Sequence, residues 1–287
     1  MRPENWHLTE DLDDFLARAG RFLRSRPALH TVPLSVTDAL RRRGPHVYGE
    51  RPPLFGTLAT PDGTVRATLL HTPPFPLNVT PLTREEADAL AARLTDLGHR
   101  ACGVSAEQDT AEAFAQSWRR RTGAQSAVRQ RQRLHRLTEL AVPEPRPQGR
   151  ARVAVPADRD LVGRWCGEFA REAGVGIGTA PAEWADARIA HGGVTLWETP
   201  DGTPVSLAAV TRESAGQVRI APVYTPPALR GHGYAGAVTA EVSRVARDSG
   251  VPEILLFTDL ANPTSNGLYR RIGYRAVADF TVWEFGD

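Results

Sequence analysis

The residues whose types and spacing could do chemistry lie in one run, Val223-Tyr224-Thr225-Pro226-Pro227-Ala228-Leu229-Arg230-Gly231-His232-Gly233-Tyr234-Ala235. A strand-like segment ends there, a Pro/Gly-rich loop follows, and an amphipathic helix begins with Val238, Val242 and Val245 on its apolar face. The first N–H groups of a helix have no partner within it, and the local field is positive, so such a turn suits a phosphate. Gly231 and Gly233 open backbone conformations closed to other residues and let a pyrophosphate come close. Ala235 keeps the first turn clear. Arg230 either adds charge or anchors the loop, and His232 reads as loop filling. The run is not a dinucleotide fingerprint, because it lacks a third glycine at that spacing and an acidic residue closing a following strand.

A second run, Leu255 to Tyr274, reads as a strand, then Asn262, then a short helix with Leu268-Tyr269, then Gly273-Tyr274. Together with the spacing Arg230-x-x-Gly233-x-Ala235, it resembles the GNAT (GCN5-related N-acetyltransferase) superfamily over about residues 151–285. The resemblance implies an acyltransferase using acetyl-CoA, or another acyl-CoA, as donor, with no metal. The acceptor it implies is a small-molecule amine that attacks directly in a ternary complex. By the same resemblance the coenzyme is bound by Val223, Tyr224, Thr225, Arg230, Gly231, His232, Gly233, Tyr234, Ala235, Asn262, Asn266 and Tyr269. In the family the strand before the loop splays from its neighbour to admit the pantetheine arm. Pro222 has no N–H and suits that opening. Backbone N–H groups of Val223 or Tyr224 would polarise the thioester carbonyl. Asn262 reaches the pantetheine arm or caps a helix; Tyr269 protonates the departing thiolate or packs in a core.

The general base is open. Family members often carry a carboxylate on the strand before the loop, but Arg219-Ile220-Ala221-Pro222-Val223 has none. Glu168, Glu172, Glu183, Glu198, Asp259 and Glu284 are candidates, each also readable as a solvated charge, and a water relay to a backbone carbonyl is equally open.

The elements that must position these residues read as a mixed α/β chain. After a strand at residues 151–155 come helices over 158–173 (Asp158 as cap; Leu161, Trp165 and Phe169 on one face) and 182–190. Strands over 194–199 and 205–211 flank Pro200-Asp201-Gly202, and 217–224 is a third. A helix over 233–248, a strand over 254–258, a helix over 264–272 and a strand over 274–285 complete this half. The first half reads as helices over 8–24, 34–43, 83–97 and 111–121, with residues 131–140 left unassigned. A hairpin joins 54–59 to 64–72. Thr60-Pro61-Asp62-Gly63-Thr64 repeats Thr199-Pro200-Asp201-Gly202-Thr203 at the same point in the order, which indicates an internal duplication. The expected fold is two GNAT-like domains in tandem, each a mixed, mostly antiparallel sheet flanked by helices. Residues 1–140 form the first, 141–151 a Pro-rich linker, and 152–287 the catalytic domain.

Where the second half has its glycine loop, the first has Thr72-Pro73-Pro74-Phe75-Pro76-Leu77-Asn78-Val79-Thr80-Pro81-Leu82-Thr83. It holds no glycine, and its prolines remove donors a phosphate would need. Thr83 and Glu86 form a capping-box pattern that uses the helix N-terminus internally. The first domain is therefore expected to be degenerate, without coenzyme, shaping the acceptor site or serving as scaffold.

Composition sets the outer bounds. All 35 basic residues are Arg, so no lysine nucleophile or Schiff base can form, while phosphate can still be bound. A net charge of +2 does not point to nucleic acid, and Arg41-Arg42-Arg43 and Arg119-Arg120-Arg121 end helices, where positive charge is favoured. No apolar run approaches a membrane span, and Met1–Gly20 is acidic and polar, so a cytoplasmic monomer or homodimer is expected. Cys102 and Cys166 read as small buried thiols. Alternative functions are transfer of a longer or carrier-bound acyl group, a mycothiol-synthase-like enzyme, or a non-catalytic acyl-CoA-binding sensor.

Overall fold

The structure, a computed structural model, describes residues 6–176 and 178–286; Met1–Asn5, at the start of the acidic N-terminal stretch, lie outside them. In chain order its elements are β1 (Trp6–Thr9), α1 (Leu12–Ser25), α2 (Thr31–Arg43), β2 (Leu54–Ala59), β3 (Val65–His71), β4 (Leu77–Val79), α3 (Arg84–Asp96), β5 (Gly103–Glu107), α4 (Gln108–Thr122) and β6 (Gln125–Leu137). There follow β7 (Arg150–Val153), α5 (Arg159–Ala173), α6 (Pro181–Ile189), β8 (Val194–Glu198), β9 (Pro204–Val210), β10 (Gln217–Tyr224), α7 (Tyr234–Asp248), β11 (Glu253–Asp259), α8 (Pro263–Ile272) and β12 (Tyr274–Gly286). Two compact units form: Met1–Arg133 with Asp259–Ala261 and Ala278–Asp287, and Leu134–Thr258 with Asn262–Val277.

In the first unit β1, β2, β3 and β4 pair antiparallel in sequence, β4 runs parallel to β5, and Phe280–Glu284 of β12 pairs antiparallel with β5. Side chains alternate across a strand, so neighbouring Leu69 and Leu70 serve opposite faces. Leu69 joins Leu77, Leu90, Leu94 and Phe114 under α3 and α4, and Leu70 joins Phe15, Leu23 and Phe55 under α1 and α2. In the second unit β7, β8, β9 and β10 pair antiparallel and β10 runs parallel to β11. Leu196 packs with Val162, Trp165 and Leu207 beneath α5 and α6, while its neighbour Trp197 packs with Val238, Val242 and Tyr274 on the α7–α8 face. Each unit is thus a mixed sheet with helices on both faces.

The repeated pentapeptide makes the same turn twice. Gly63 and Gly202 take φ of 84° and 88°, and each donates its N–H to the threonine that opens the turn, at 2.8 and 2.9 Å. Thr60 and Thr199 each donate a hydroxyl proton to the carbonyl four residues on, at 2.9 and 3.1 Å. The turns close β2–β3 and β8–β9, equivalent hairpins of the two units.

Several expectations are corrected. Residues 8–24 are not one helix: Trp6–Thr9 pairs with β2, and Asp11 starts α1 by accepting from Asp13 and Asp14 N–H. Residues 131–137, unassigned from the sequence, belong to the strand β6, whose exposure alternates with period two over residues 125–132. The short β4 and β5 are additional strands of the first half. Asp158 precedes α5 without a side-chain cap bond; its carboxylate holds Arg152 at 2.6 and 2.8 Å instead. Val245 is 50% exposed, because the buried stripe of α7 runs along Gly236, Thr239, Ser243 and Ala246. Cys102 is exposed, in the loop before β5, with its thiol 3.0 Å from the Pro74 carbonyl; Cys166 is buried.

Candidate functional site

The opening at the site begins in strand pairing. β10 and β11 pair only through Gln217–Glu253, Val218–Ile254 and Arg219–Leu255, although β10 runs to Tyr224 and β11 to Asp259. On its other side β10 uses three residues where β9 uses two, from Ile220–Val210 to Val223–Ala208. That one-residue bulge falls at Ala221-Pro222 and turns the strand away from β11. The edge of residues 222–224 toward β11 therefore has no strand partner among the described residues.

The glycine loop continues from this edge. Gly231 has φ of 85° with nothing within 4 Å of a Cβ position, and Gly233 has φ of 82°. Both lie in the left-handed region that favours glycine. Gly233 is the N-cap of α7 and supplies no side-chain cap, so the first-turn N–H groups, Tyr234 to Gly236, stay available. The contrast lies at α3, where Thr83 and Glu86 cap each other reciprocally. Leu82 N–H is also taken there, by Thr110 Oγ1 at 2.9 Å.

Around the loop most side chains brace it. Arg230 donates to the Thr225 carbonyl at 2.9 Å and to Glu172 at 2.6 Å, and lies over the Tyr224 ring at 5.8 Å. These contacts anchor the loop through Arg230. His232 Nδ1 lies 3.0 Å from the Arg230 carbonyl and its ring stacks on Tyr234 at 5.6 Å. Thr225 is buried, with its hydroxyl 2.8 Å from that of Ser206, which also donates to the Tyr224 carbonyl at 2.9 Å. Val223 is half-buried in the α7–α8 core. The proline-rich segment also reaches here: a Cβ on Gly233 would meet Pro147 Cδ at 3.6 Å, and one on Gly236 would meet Pro143 Cγ at 3.5 Å.

Helix α8 supplies the remaining candidates. Leu268 lies against the first turn of α7, 3.1 Å from a Cβ position on Gly236, which brings neighbouring Tyr269 to the same core. Tyr269 is buried, edge-on to Tyr274 at 6.1 Å, and burial pushes its phenol up to about 12. Tyr274 is anchored to Ser243 at 2.7 Å. Asn262 accepts from Ser265 N–H at 3.0 Å, which makes it the cap of α8. Asn266 accepts from Thr258 at 2.6 Å and donates to the Asn262 carbonyl at 2.7 Å, tying α8 to β11. The polar atoms of both asparagines named here serve the fold.

Five of the six candidate bases have hydrogen-bond or ion-pair partners. Glu172 holds Arg230, Glu198 holds Arg152, and Glu284 lies 3.2 Å from Arg129. Glu183 accepts from Thr179, and Asp259 accepts from Gln130 and from Ala261 N–H. Glu168 lies near Tyr224, whose phenol is pushed up to about 12, first by burial and then by that carboxylate; the phenol itself donates to Glu172 at 3.4 Å. Sequence reasoning had no signal for Ser206 as a prop of the strand end. The pair Glu168 and Glu172, one turn apart on α5, was visible but could not be aimed at Tyr224 without the sheet. Among the described residues no group of three His, Cys, Asp or Glu is arranged to hold a metal, and no helix is long and apolar enough to cross a membrane.

A splayed parallel strand pair leading to an uncapped, glycine-started helix is the arrangement of the GNAT fold, and residues 171–274 match the family model described as "Acetyltransferase (GNAT) family". The second unit carries a GNAT domain. Among solved structures the chain is similar to a GCN5-related N-acetyltransferase from Sphaerobacter thermophilus, at 20% identity and a TM-score of 0.65, covering 99% of this chain and 97% of that one. It is similar also to a GNAT-family acetyltransferase from Colwellia psychrerythraea (12% identity, TM-score 0.62, 98% and 99% covered). A tandem GNAT protein from the clavulanic acid biosynthesis pathway matches at 13% identity and a TM-score of 0.55, covering 97% and 98%. These identities establish a shared fold along the chain. No curated protein matches it in sequence.

Proposed function

We propose that the second unit is an acyl-CoA-dependent N-acyltransferase, with acetyl-CoA as donor and a small-molecule amine as acceptor, reacting directly in a ternary complex. The observation that carries this reading is the opening between β10 and β11, which leads to the uncapped first turn of α7. A diphosphate fits there: two left-handed glycines bring the backbone close, and the N–H groups of Tyr234 to Gly236 are unclaimed. The unpaired edge of residues 222–224 would hold the pantetheine arm by strand-like hydrogen bonds and polarise a carbonyl laid against it. Bound coenzyme supplies an activated thioester. Tyr269 keeps its proton across the physiological range, being pushed up to about 12, and offers a hydrogen bond toward the leaving sulfur. With five of the six candidate carboxylates already engaged, the amine's proton leaves through water.

The reading takes the first unit as coenzyme-free, because the equivalent helix start is closed by Thr83, Glu86 and Thr110. It takes the protein as cytoplasmic, a monomer or homodimer, and leaves longer or carrier-bound acyl groups as alternative donors. A second reading, a coenzyme-binding protein without turnover, is favoured by the same engagement of five of the six candidate bases. Thiol release from acetyl-CoA across a panel of primary amines separates the two. Amine-dependent release supports the transferase, binding without release supports the second reading, and absence of binding removes both.

A further inference from the structure

We infer that Glu172 on α5 is a positioning residue for the coenzyme loop, acting through Arg230 and Tyr224; this rests on the coenzyme-binding reading above. Its two carboxylate oxygens are divided between two elements. Oε2 accepts from Arg230 Nη2 at 2.6 Å, and Oε1 accepts from the Tyr224 hydroxyl at 3.4 Å. Arg230 stands at the start of the glycine loop, and Tyr224 is the last residue of β10. Arg230 is held at two further points, its Nε on the Thr225 carbonyl at 2.9 Å and its guanidinium over the Tyr224 ring. One carboxylate from a neighbouring helix thus fixes the angle between the strand that would bind pantetheine and the loop that would bind diphosphate.

This arrangement contributes little to stability. Arg230 and Glu172 side chains are 49% and 44% exposed, and ion pairs at such exposure are worth little to folding. Its effect lies in geometry, since donors held in place before a ligand arrives need not be ordered on binding. The alternative is that Arg230 is itself a phosphate ligand, restrained by Glu172 until coenzyme arrives. The two accounts predict opposite signs. Removing the charge of Glu172 loosens a brace and weakens binding, whereas it would release a sequestered phosphate ligand and strengthen binding.

The test is calorimetric affinity for coenzyme A in the full chain, with thermal midpoints alongside, for wild type, Glu172→Gln, Arg230→Gln and the double variant. Glu172→Gln and Arg230→Gln should each weaken binding about three- to tenfold, with midpoints within about 2 °C of wild type. The double variant should be no weaker than the worse single one, as for residues acting through one contact. KM for acetyl-CoA should rise while KM for the amine stays within about twofold. Unchanged or tighter binding by Glu172→Gln, or fully additive losses, overturns the brace while leaving coenzyme binding intact. Wild-type protein that does not bind coenzyme A overturns the functional reading and this inference together.

Discussion

A phenol pushed up to about 12 is a weaker acid than an alkyl thiol, whose ordinary value is about 8.5, so complete proton transfer from Tyr269 to a thiolate would run uphill by about 5 kcal/mol. A hydrogen bond to the departing sulfur avoids that cost. Tyr269→Phe should therefore lower kcat about tenfold, less than the roughly hundredfold or more of full acid catalysis, with affinity for acetyl-CoA within about twofold, read from single-turnover rates. Because the shift is upward, Tyr269 stays protonated to about pH 12 and should impose no alkaline limb on kcat below about pH 10.5. An alkaline limb near pH 9 that disappears in Tyr269→Phe would refute the hydrogen-bond role. At Gly233 the argument is electrostatic. Gly233→Asp sets a carboxylate beside the unclaimed N–H groups of α7 and should weaken coenzyme A binding more than about a hundredfold. Gly233→Ala carries the same positive-φ strain without the charge, so the gap between the two variants isolates the anion site. Equal losses in both would mean that strain alone is at work.

The starts of α3 and α7 were legible because they are written in local chemistry. Thr83 and Glu86 announce α3, and the glycines before Tyr234 announce α7. Strands were legible where apolar residues alternate, as in β8 to β10, and hard to read where the alternation is arginine against glutamine. In β6, Arg129-Gln130-Arg131-Gln132-Arg133 carries no hydropathy signal, and its period appears only once one face is half-covered. The helix reading of residues 8–24 failed because Trp6–Thr9 is too short to show a period of its own. Pairing distant in sequence was illegible for the same reason as the His71–His99 contact, 2.7 Å between Nδ1 and Nε2 across 28 residues. Both histidines are shifted downward. Burial drives His71, with His99 and Arg51 adding repulsion, to about 4; burial and Arg51 lower His99, which Glu10 partly offsets. A folded-state value below the unfolded one means that the unfolded chain binds more protons between about pH 6.5 and 4. Stability should therefore be full above about pH 6.5 and fall as pH drops toward 4, by an amount on the order of 3 kcal/mol for His71. Denaturant melts at pH 7 and pH 5 measure this. His71→Gln should flatten the difference, and an unchanged slope in that variant would assign the acid sensitivity elsewhere.

At the scale of the whole chain, the repeated Thr-Pro-Asp-Gly-Thr turn was the sequence's clearest sign of two similar units, and it closes equivalent hairpins in both. Similar architecture need not mean similar binding, and the two helix starts differ in the one property a diphosphate requires. At α7 the first-turn donors are unclaimed; at α3 the capping box and Thr110 occupy the helix start. A single equivalent of coenzyme A should therefore bind per chain. Truncation at residue 152 is a poor way to ask which unit binds it. It would also remove residues 278–287, which belong to the first unit and include the β12 segment paired with β5, leaving that unit short of a strand. The full chain with Gly233→Asp is the cleaner instrument. Calorimetry should give a stoichiometry near one for wild type and no measurable site in the variant, at a thermal midpoint within a few degrees of wild type. Thr83→Ala, which opens the α3 cap at a cost of about 1 kcal/mol, should leave both affinity and stoichiometry unchanged. A stoichiometry near two in wild type, or one full site surviving Gly233→Asp, would mean that the first unit binds coenzyme despite its closed helix start.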